Sequence, residues 1–400
     1  MFGGMFLLEP DSFASKNNTM ITEEAISSSI QPFTISIPQS AIDDLKLRLK
    51  NTRWPDEVEG AGWDYGTNTE YLKELVNYWQ NNFDWRAQEK NINRFKNYKA
   101  TIDGVGIHFI HEKSKDPDAV PLLLMHGWPS SFVQMFKIIP LLKANRNPGF
   151  HLIIPSLVGY GFSDKSTKKG MDLTEIAKLM HKLMTEELGY KKYGIRAGDL
   201  GAGVGHEIIA NYPKSVIGLH MSGSNPNVSQ APDNMSDAEK EFMKKVQGLL
   251  YTEAAYALEH SSKPQTLAVG LNDSPAGLAS WIVEKFRSWS DSNGNVESKF
   301  SKDELLINIS IYWFTQTINS SIRLYYETSH TRRLTVGKKL EVPVGFAMPP
   351  KDIAIAPKEW EERTYNVVHW NVLKKGGHFA EWEEPEAIAE DVSDFFAKLA

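Results

Sequence analysis

Apolar side chains recur at helical spacing early in the chain. In "IPQSAIDDLKLRLKNTRWP", Ile42, Leu45 and Leu49 fall on one face and predict a helix. Ser40 is placed to cap it, with Asp43 three residues on, and Pro55 to stop it. A second helix is predicted over "YLKELVNYWQNNF", where Leu72, Leu75 and Trp79 share a face. Trp54, Trp63, Trp79 and Trp85 gather in this region, as expected of a segment that wraps another surface. From residue 96 the period changes. Short apolar runs bounded by Gly and Pro ("VPLLLMHGWP", "FHLIIPSLVGYG", "YGIRAGDLG", "SVIGLHMSG") alternate with helical stretches. That alternation predicts an α/β core with a mainly parallel sheet and helices on both faces. It breaks after "SGSNPN". Residues 226–335 read as almost wholly helical, with Pro275 in the first turn of "SPAGLASWIVEKF". Strand character returns at "EVPVGFAMP" and "NVVHWNVL", and "EAIAEDVSDFFAKL" closes the chain as a helix. The pattern therefore predicts a tail over 1–30, an N-terminal segment over 31–100, an α/β core over 101–225 and 336–400, and a helical insertion over 226–335.

Composition narrows the chemistry. With 41% hydrophobic and 24% charged residues, the 400-residue chain is globular and large enough for a core and a second lobe. The net charge is −6 and no basic face stands out, which excludes nucleic acid as an expected partner. The absence of cysteine removes disulfides, thiol nucleophiles and Cys-ligated metal sites. No run of 18 apolar residues predicts a membrane span. The start, "MFGGMFLLEPDSF", has no basic region, and its apolar run from Met5 ends at Glu9, too short for a signal peptide. It reads as a tail or an upstream start, with Met20 the more natural first residue, and a cytoplasmic location is expected.

The stretch "RAGDLGAGVGHE" (196–207) carries the first chemical signal. It lacks the third glycine of the dinucleotide fingerprint and the lysine of a Walker loop, so phosphate binding is a weak reading. It fits a strand-to-helix elbow better: small, x, nucleophile, x, small, with Asp199 between Gly198 and Leu200 and Gly201 following. A carboxylate attacking an ester would give an unstable anhydride. A carboxylate attacking an sp3 carbon gives an ester that water can later open. From this stretch alone, nucleophile and simple helix cap both stay open for Asp199.

"LLLMHGWPSS" adds a strand ending in a sharp turn at His126-Gly127-Trp128-Pro129. The backbone N–H groups of Trp128 and Leu200 are placed to form an oxyanion hole. "GYGFSD" (159–164) helps to shape the same rim. His378, in "LKKGGHFAEWEEPE", follows the last strand and is the candidate general base. The acid should follow the preceding strand, where Asp352 stands 26 residues before His378 (378 − 352); Glu359, Glu361 and Glu362 are rivals deeper in the next helix. "HFIHE" (His108, His111, Glu112) is a weak metal candidate, because i and i+3 side chains diverge on a strand.

Taken together, these residues resemble the microsomal-type epoxide hydrolases, from roughly residue 31 to the end. The resemblance rests on "FTISIPQSAIDDLKLRLKNTRWP", "HGWP", the Asp199 elbow, "LNDSPAGLASWIVEKF" and "GGHFAEWEEPE". It implies an α/β-hydrolase core, a helical cap inserted in it, an N-terminal wrapping segment, and no cofactor or metal. It also implies two cap tyrosines that hold the epoxide oxygen. "EAAYALEHSSKPQTLA" supplies Tyr256 and "SSIRLYYETSH" supplies Tyr325, with the adjacent Tyr326 and the earlier Tyr251 as rivals. The implied reaction turns a lipophilic epoxide and water into a vicinal diol through an ester on Asp199, opened by water that His378 activates and Asp352 orients. Two features depart from the family. Its elbow is usually Gly-Gly-Asp-Trp-Gly, where this chain has Ala197-Gly198-Asp199-Leu200-Gly201. The mammalian members carry a membrane anchor and use Glu as the acid, where Asp352 stands here. A dehalogenase with the same nucleophile and a non-catalytic ligand receptor are the alternative readings. A homodimer stays open.

Overall fold

The computed structural model describes residues 29–144, 148–223, 233–331 and 339–399. The tail, including Met20, and the expected insertion limits near 225 and 336 lie outside these residues. Among the described residues nine strands form one sheet in the order β1-β2-β3-β5-β4-β6-β7-β8-β9. They are β1 (Gln31–Pro32), β2 (Asn97–Ile102), β3 (Val105–Glu112), β4 (Val120–Met125), β5 (Phe150–Pro155), β6 (Tyr193–Gly198), β7 (Val216–Ser222), β8 (Pro343–Met348) and β9 (Asn366–Val372). The first three pair antiparallel, and β3 joins β5 in the same sense. Every pairing from β5 through β4, β6, β7 and β8 to β9 is parallel. Parallel strands are covered on both faces, which explains why β4 and β6 are nearly continuous apolar runs.

The N-terminal segment folds as α1 (Gln39–Lys50), α2 (Thr69–Asn81) and α3 (Trp85–Asn93). Ile42, Leu45 and Leu49 of α1 and Leu72, Leu75 and Trp79 of α2 are buried as their spacing predicts, each worth about 1.5–3 kcal/mol. Two details differ from expectation. Helix α1 starts at Gln39 after an extended Pro38, so Ser40 lies inside the first turn and caps nothing. It ends at Lys50, with Asn51 as cap, before reaching Pro55. The core helices are α4 (Ile138–Lys143), α5 (Leu173–Lys182) and α6 (Asp199–Asn211). Between β7 and β8 the described residues form six α-helices: α7 (Asp237–Thr252), α8 (Ala255–Ser262), α9 (Pro264–Asp273), α10 (Pro275–Ser288), α11 (Lys302–Thr315) and α12 (Ile318–His330). Pro275 occupies the first turn of α10, and Ser274 caps it. After β8 come α13 (Lys358–Glu361), α14 (Ala380–Glu383) and the closing α15 (Pro385–Ala397).

The N-terminal segment grips the inserted helices. The Trp79 indole N–H donates to Ser310 Oγ at 3.0 Å, Tyr78 to Asp303 at 3.0 Å, and Arg48 pairs with Asp273 at 2.7 Å. Trp85 packs on Phe314 with ring centroids 4.7 Å apart. No helix among the described residues is long and apolar enough to cross a membrane.

The start of α6 lies close against the end of β4. A Cβ on Gly201 would stand 2.6 Å from the carbonyl oxygens of Met125 and His126, backbone that cannot swing aside, whereas one on Gly198 would meet nothing within 4 Å. The small-residue requirement of the elbow therefore falls on Gly201. Gly201→Ala is expected to destabilise the protein by about 1–3 kcal/mol in urea titrations, and Gly198→Ala by under about 1 kcal/mol. Equal effects would contradict this assignment.

Candidate active site

Asp199 follows the last residue of β6 and has φ of +50°. A non-glycine residue in this left-handed region costs on the order of 1 kcal/mol, which the flanking strand and helix must hold in place. The N-cap of α6 is Gly198, and no side chain caps it, so the helix-cap reading of Asp199 does not hold. The carboxylate is instead turned toward the 126–129 loop. Its Oδ1 accepts the Trp128 backbone N–H at 2.9 Å, and the Leu200 backbone N–H also donates to the carboxylate. Gly127 makes room for this approach: a Cβ there would lie 2.3 Å from Asp199 Oδ1. With Oδ1 held, Oδ2 faces His378 Nε2 at 3.3 Å. The Asp199 side chain keeps 21% of its exposure, so a reactant can reach it.

His378 stands between two carboxylates. Its Nδ1 lies 2.7 Å from Asp352 Oδ1, which also accepts the Ile353 N–H at 2.7 Å. Of the rivals for the acid, Glu359 accepts from Ser236 and Glu362 pairs with Lys358; neither orients His378. Burial alone would lower the His378 pKa, but the Asp352 and Asp199 carboxylates outweigh it and raise the pKa well above its ordinary value. Asp199 shifts the opposite way. Burial disfavours its charge, yet His378 and the Trp128 and Leu200 N–H groups hold its pKa below the usual carboxylate value. The resting pair is thus carboxylate and imidazolium. The backbone around His378 is fixed as well. Its N–H donates to the Trp289 carbonyl at 2.8 Å, and the Glu383 carboxylate accepts the N–H groups of Gly377 at 3.0 Å, Phe379 at 3.1 Å and Asp291 at 2.7 Å.

The inserted helices close over this pair with aromatic side chains. Tyr256 (α8) stacks on Trp128, with centroids 5.2 Å apart and 9° between planes. Tyr325 (α12) meets Trp128 edge-on at 6.1 Å and Tyr256 at 6.0 Å. The two tyrosine hydroxyls hydrogen bond to one another. Burial first, then nearby Asp199, pushes the Tyr256 pKa up; burial, with Tyr256 and Asp199 beside it, does the same for Tyr325. Both remain neutral donors. Tyr326 points away and stacks on His330, and Tyr251 is 91% exposed, so neither rival joins the cluster. Two histidines here escaped notice as functional candidates. His260, one turn after Tyr256, lies between Trp128 and Tyr325; it accepts the Trp281 indole N–H at 3.2 Å and is pushed down to about 3 by burial. His126 is pushed down to about 4 by burial and pins its own loop, lying 3.0 Å from the Gly127 carbonyl through Nδ1 and accepting the Leu157 N–H at 3.2 Å through Nε2.

Beneath the site lies a buried polar network that the sequence reading missed. Arg196 on β6 donates to Glu381 Oε1 at 2.7 Å, and Gln134 Nε2 donates to Glu381 Oε2 at 2.6 Å. Arg196 also reaches Ser222, and His220 at 3.0 Å. His220, His369 and Asp391 lie close enough together to suggest a metal site. Their ligand atoms are already engaged: both Nε2 atoms face Asp391 Oδ1, at 2.7 and 3.0 Å, and the remaining nitrogens face Arg196 and Lys398. The residues do not fit a cation. His108, His111 and Glu112 are separate too, bonded to Ser156 and Asn97, to Tyr190, and to Lys143.

Known proteins resemble this chain along most of its length. Residues 30–135 match the family described as epoxide hydrolase N terminus, and residues 120–275 the alpha/beta hydrolase fold. The chain is 36% identical over 412 residues to epoxide hydrolase 1 of Sus scrofa, covering 93% of this chain and 89% of that protein. It is 35% identical over 409 residues to juvenile hormone epoxide hydrolase 1 of Ctenocephalides felis, covering 93% and 88%. The crystal structure of juvenile hormone epoxide hydrolase from the silkworm Bombyx mori superposes with a TM-score of 0.86 at 32% identity, covering 93% of this chain and 95% of that one.

The raised His378 pKa has a definite sign. Its contribution to stability is fully present below the unfolded value of about 6.5 and is lost as pH rises through the folded pKa. An NMR titration should find His378 protonated well above pH 6.5, and Asp352→Asn should bring its pKa down. Titration of the unaltered protein's His378 below 6.5 would contradict the ion-pair description.

Proposed function

This chain belongs to the epoxide hydrolase family of the α/β-hydrolase superfamily, and from that premise we propose that it opens a lipophilic epoxide to a vicinal diol through a covalent ester on Asp199. The observation that carries the proposal is the placement of the Asp199 carboxylate. One oxygen is held by backbone N–H groups and the other faces His378, with Tyr256 and Tyr325 near enough to feel the Asp199 charge. In the first step Oδ2 attacks an epoxide carbon and the C–O bond breaks on the opposite side. The two tyrosines donate to the epoxide oxygen, and the alkoxide gains a proton from this pair.

Ester formation then changes the electrostatics. Asp199 loses its negative charge, which had helped to hold the proton on His378. With this charge gone the imidazolium gives its Nε2 proton to the tyrosine pair, replacing the one passed to the alkoxide, and His378 becomes a neutral base with Asp352 still orienting Nδ1–H. Water gives a proton to Nε2 and its oxygen bonds to the Asp199 carbonyl carbon. Charge collects on Oδ1, where the Trp128 and Leu200 amides already point; one such donor is worth about 100- to 1000-fold in rate. The ester C–O bond then breaks, the departing diol oxygen takes the proton of the newly added hydroxyl, and the Asp199 carboxylate and His378 imidazolium are restored.

We assign residues 31–100 to the wrapping segment, 101–225 and 336–400 to the catalytic core, and 226–335 to a cap that carries Tyr256 and Tyr325. The aromatic walls of Trp128, Tyr256, Tyr325 and Trp289 favour an apolar substrate. Leu200 offers no side-chain donor for a leaving halide, which disfavours dehalogenation, and the engaged Asp199–His378–Asp352 set disfavours a non-catalytic receptor.

Tyr256→Phe and Tyr325→Phe are each expected to slow alkylation of Asp199 by about 10- to 100-fold, and the double change by about 10⁴-fold. Full activity in the double variant would rule out oxygen activation by this pair. His378→Gln should stop after one step, with a protein mass increase equal to the epoxide. A chloroalkane should release no chloride; chloride release would favour the dehalogenase reading.

A further inference from the structure

Ester opening needs a water whose lone pair faces the Asp199 carbonyl carbon while both its hydrogens find acceptors. A cavity of about 10 Å³ lies beside Asp199, lined by His126, Gly127, Ser130, Gln134, His378 and Asp199 itself. That is the room one water occupies, and a buried water needs two to four polar partners. His378 Nε2 is one acceptor once alkylation of Oδ2 has led the imidazolium to give up its proton. Gln134 is the candidate for the second.

The Gln134 amide has a fixed sense. Its neighbour Glu381 is an acceptor, so the Gln134 NH₂ end must face it, at 2.6 Å, and the carbonyl end is turned away. Glu381 is held in turn by Arg196 at 2.7 Å, and all three side chains are buried. The connectivity is informative. Arg196 stands on β6, three residues before Asp199, and Glu381 on α14, three residues beyond His378. A single ion pair thus joins the strand that presents the nucleophile to the turn that presents the base, and Gln134 hangs from it into the wall of the cavity.

We propose that Gln134, locked by the Arg196–Glu381 pair, is a positioning residue that accepts one hydrogen of the hydrolytic water in this cavity. This inference rests on the covalent reading given above. The water donates one hydrogen to His378 Nε2 and the other to Gln134 Oε1, leaving its lone pair aimed at Asp199. His378 keeps the transferred proton; Gln134 only orients.

The test separates the two half-reactions. Gln134→Met removes the acceptor, and Gln134→Asn keeps an amide but withdraws it by one methylene. In single-turnover experiments followed by protein mass, both are expected to alkylate within about threefold of the unaltered rate. Both should clear the ester about 100-fold more slowly, so that it accumulates during turnover. A purely structural role would slow both steps together. A crystal structure of the unaltered protein supplies a check that does not depend on a folded variant. It should show an ordered water within about 3.2 Å of Gln134 Oε1 in this cavity. Ester that clears at the unaltered rate in a folded variant, or a refined cavity without that water, overturns the role of Gln134 alone. If even His378→Gln forms no ester, the covalent reading fails and takes this inference with it.

Discussion

The ion pair between Asp199 and His378 is the interaction on which the rest of the site depends. Two groups of opposite charge share a largely dry site and hold each other charged. Burial opposes both charges, so the pair exists only because other groups support it. Asp199 has two backbone N–H donors, and His378 has Asp352. Removing the charge of one member must shift the proton affinity of the other. A reaction that neutralises Asp199 therefore switches His378 without any conformational change.

Core and inserted helices supply this support together. The 126–129 loop, which carries the Trp128 amide, is tied to α11: Asn308 donates to the Pro129 carbonyl at 2.8 Å and Tyr312 to the Ser130 carbonyl at 2.7 Å. The backbone of His378 is tied to Trp289, just after α10. The N-terminal segment holds α10 and α11 from outside, through Thr67 on the Ser280 carbonyl and Trp79 on Ser310. The wrapping segment has a mechanical link to the chemistry although it contributes no reacting group.

Much of this was legible in the sequence. The alternation of apolar runs with helices marks the parallel sheet because such strands are covered on both faces. Asp199, His378 and Asp352 were legible because each stands just beyond a strand, where a parallel sheet gathers its loops. Tyr325 could be matched by motif but not separated from Tyr326; only helix phase decides that, placing Tyr325 against Trp128 and Tyr326 against His330. The start of α1 differs from the capping pattern because the extended backbone of Pro38, not the Ser40 hydroxyl, ends the preceding loop. The Arg196–Glu381–Gln134 network was missed because its members come from three distant stretches. A trace was present: a single arginine inside the apolar run "YGIRAG" cannot be buried without a carboxylate. Nothing in the sequence said which of the acidic residues after His378 would meet it.

The central claim is that Asp199 itself is the nucleophile. It is tested most directly by one turnover in ¹⁸O-labelled water with enzyme in excess of epoxide. The account predicts label in the Asp199 carboxylate and an unlabelled diol, because the oxygen delivered to the first product comes from the protein. Labelled diol from that first turnover, with Asp199 unlabelled, would show that water attacks the epoxide directly and would contradict the account.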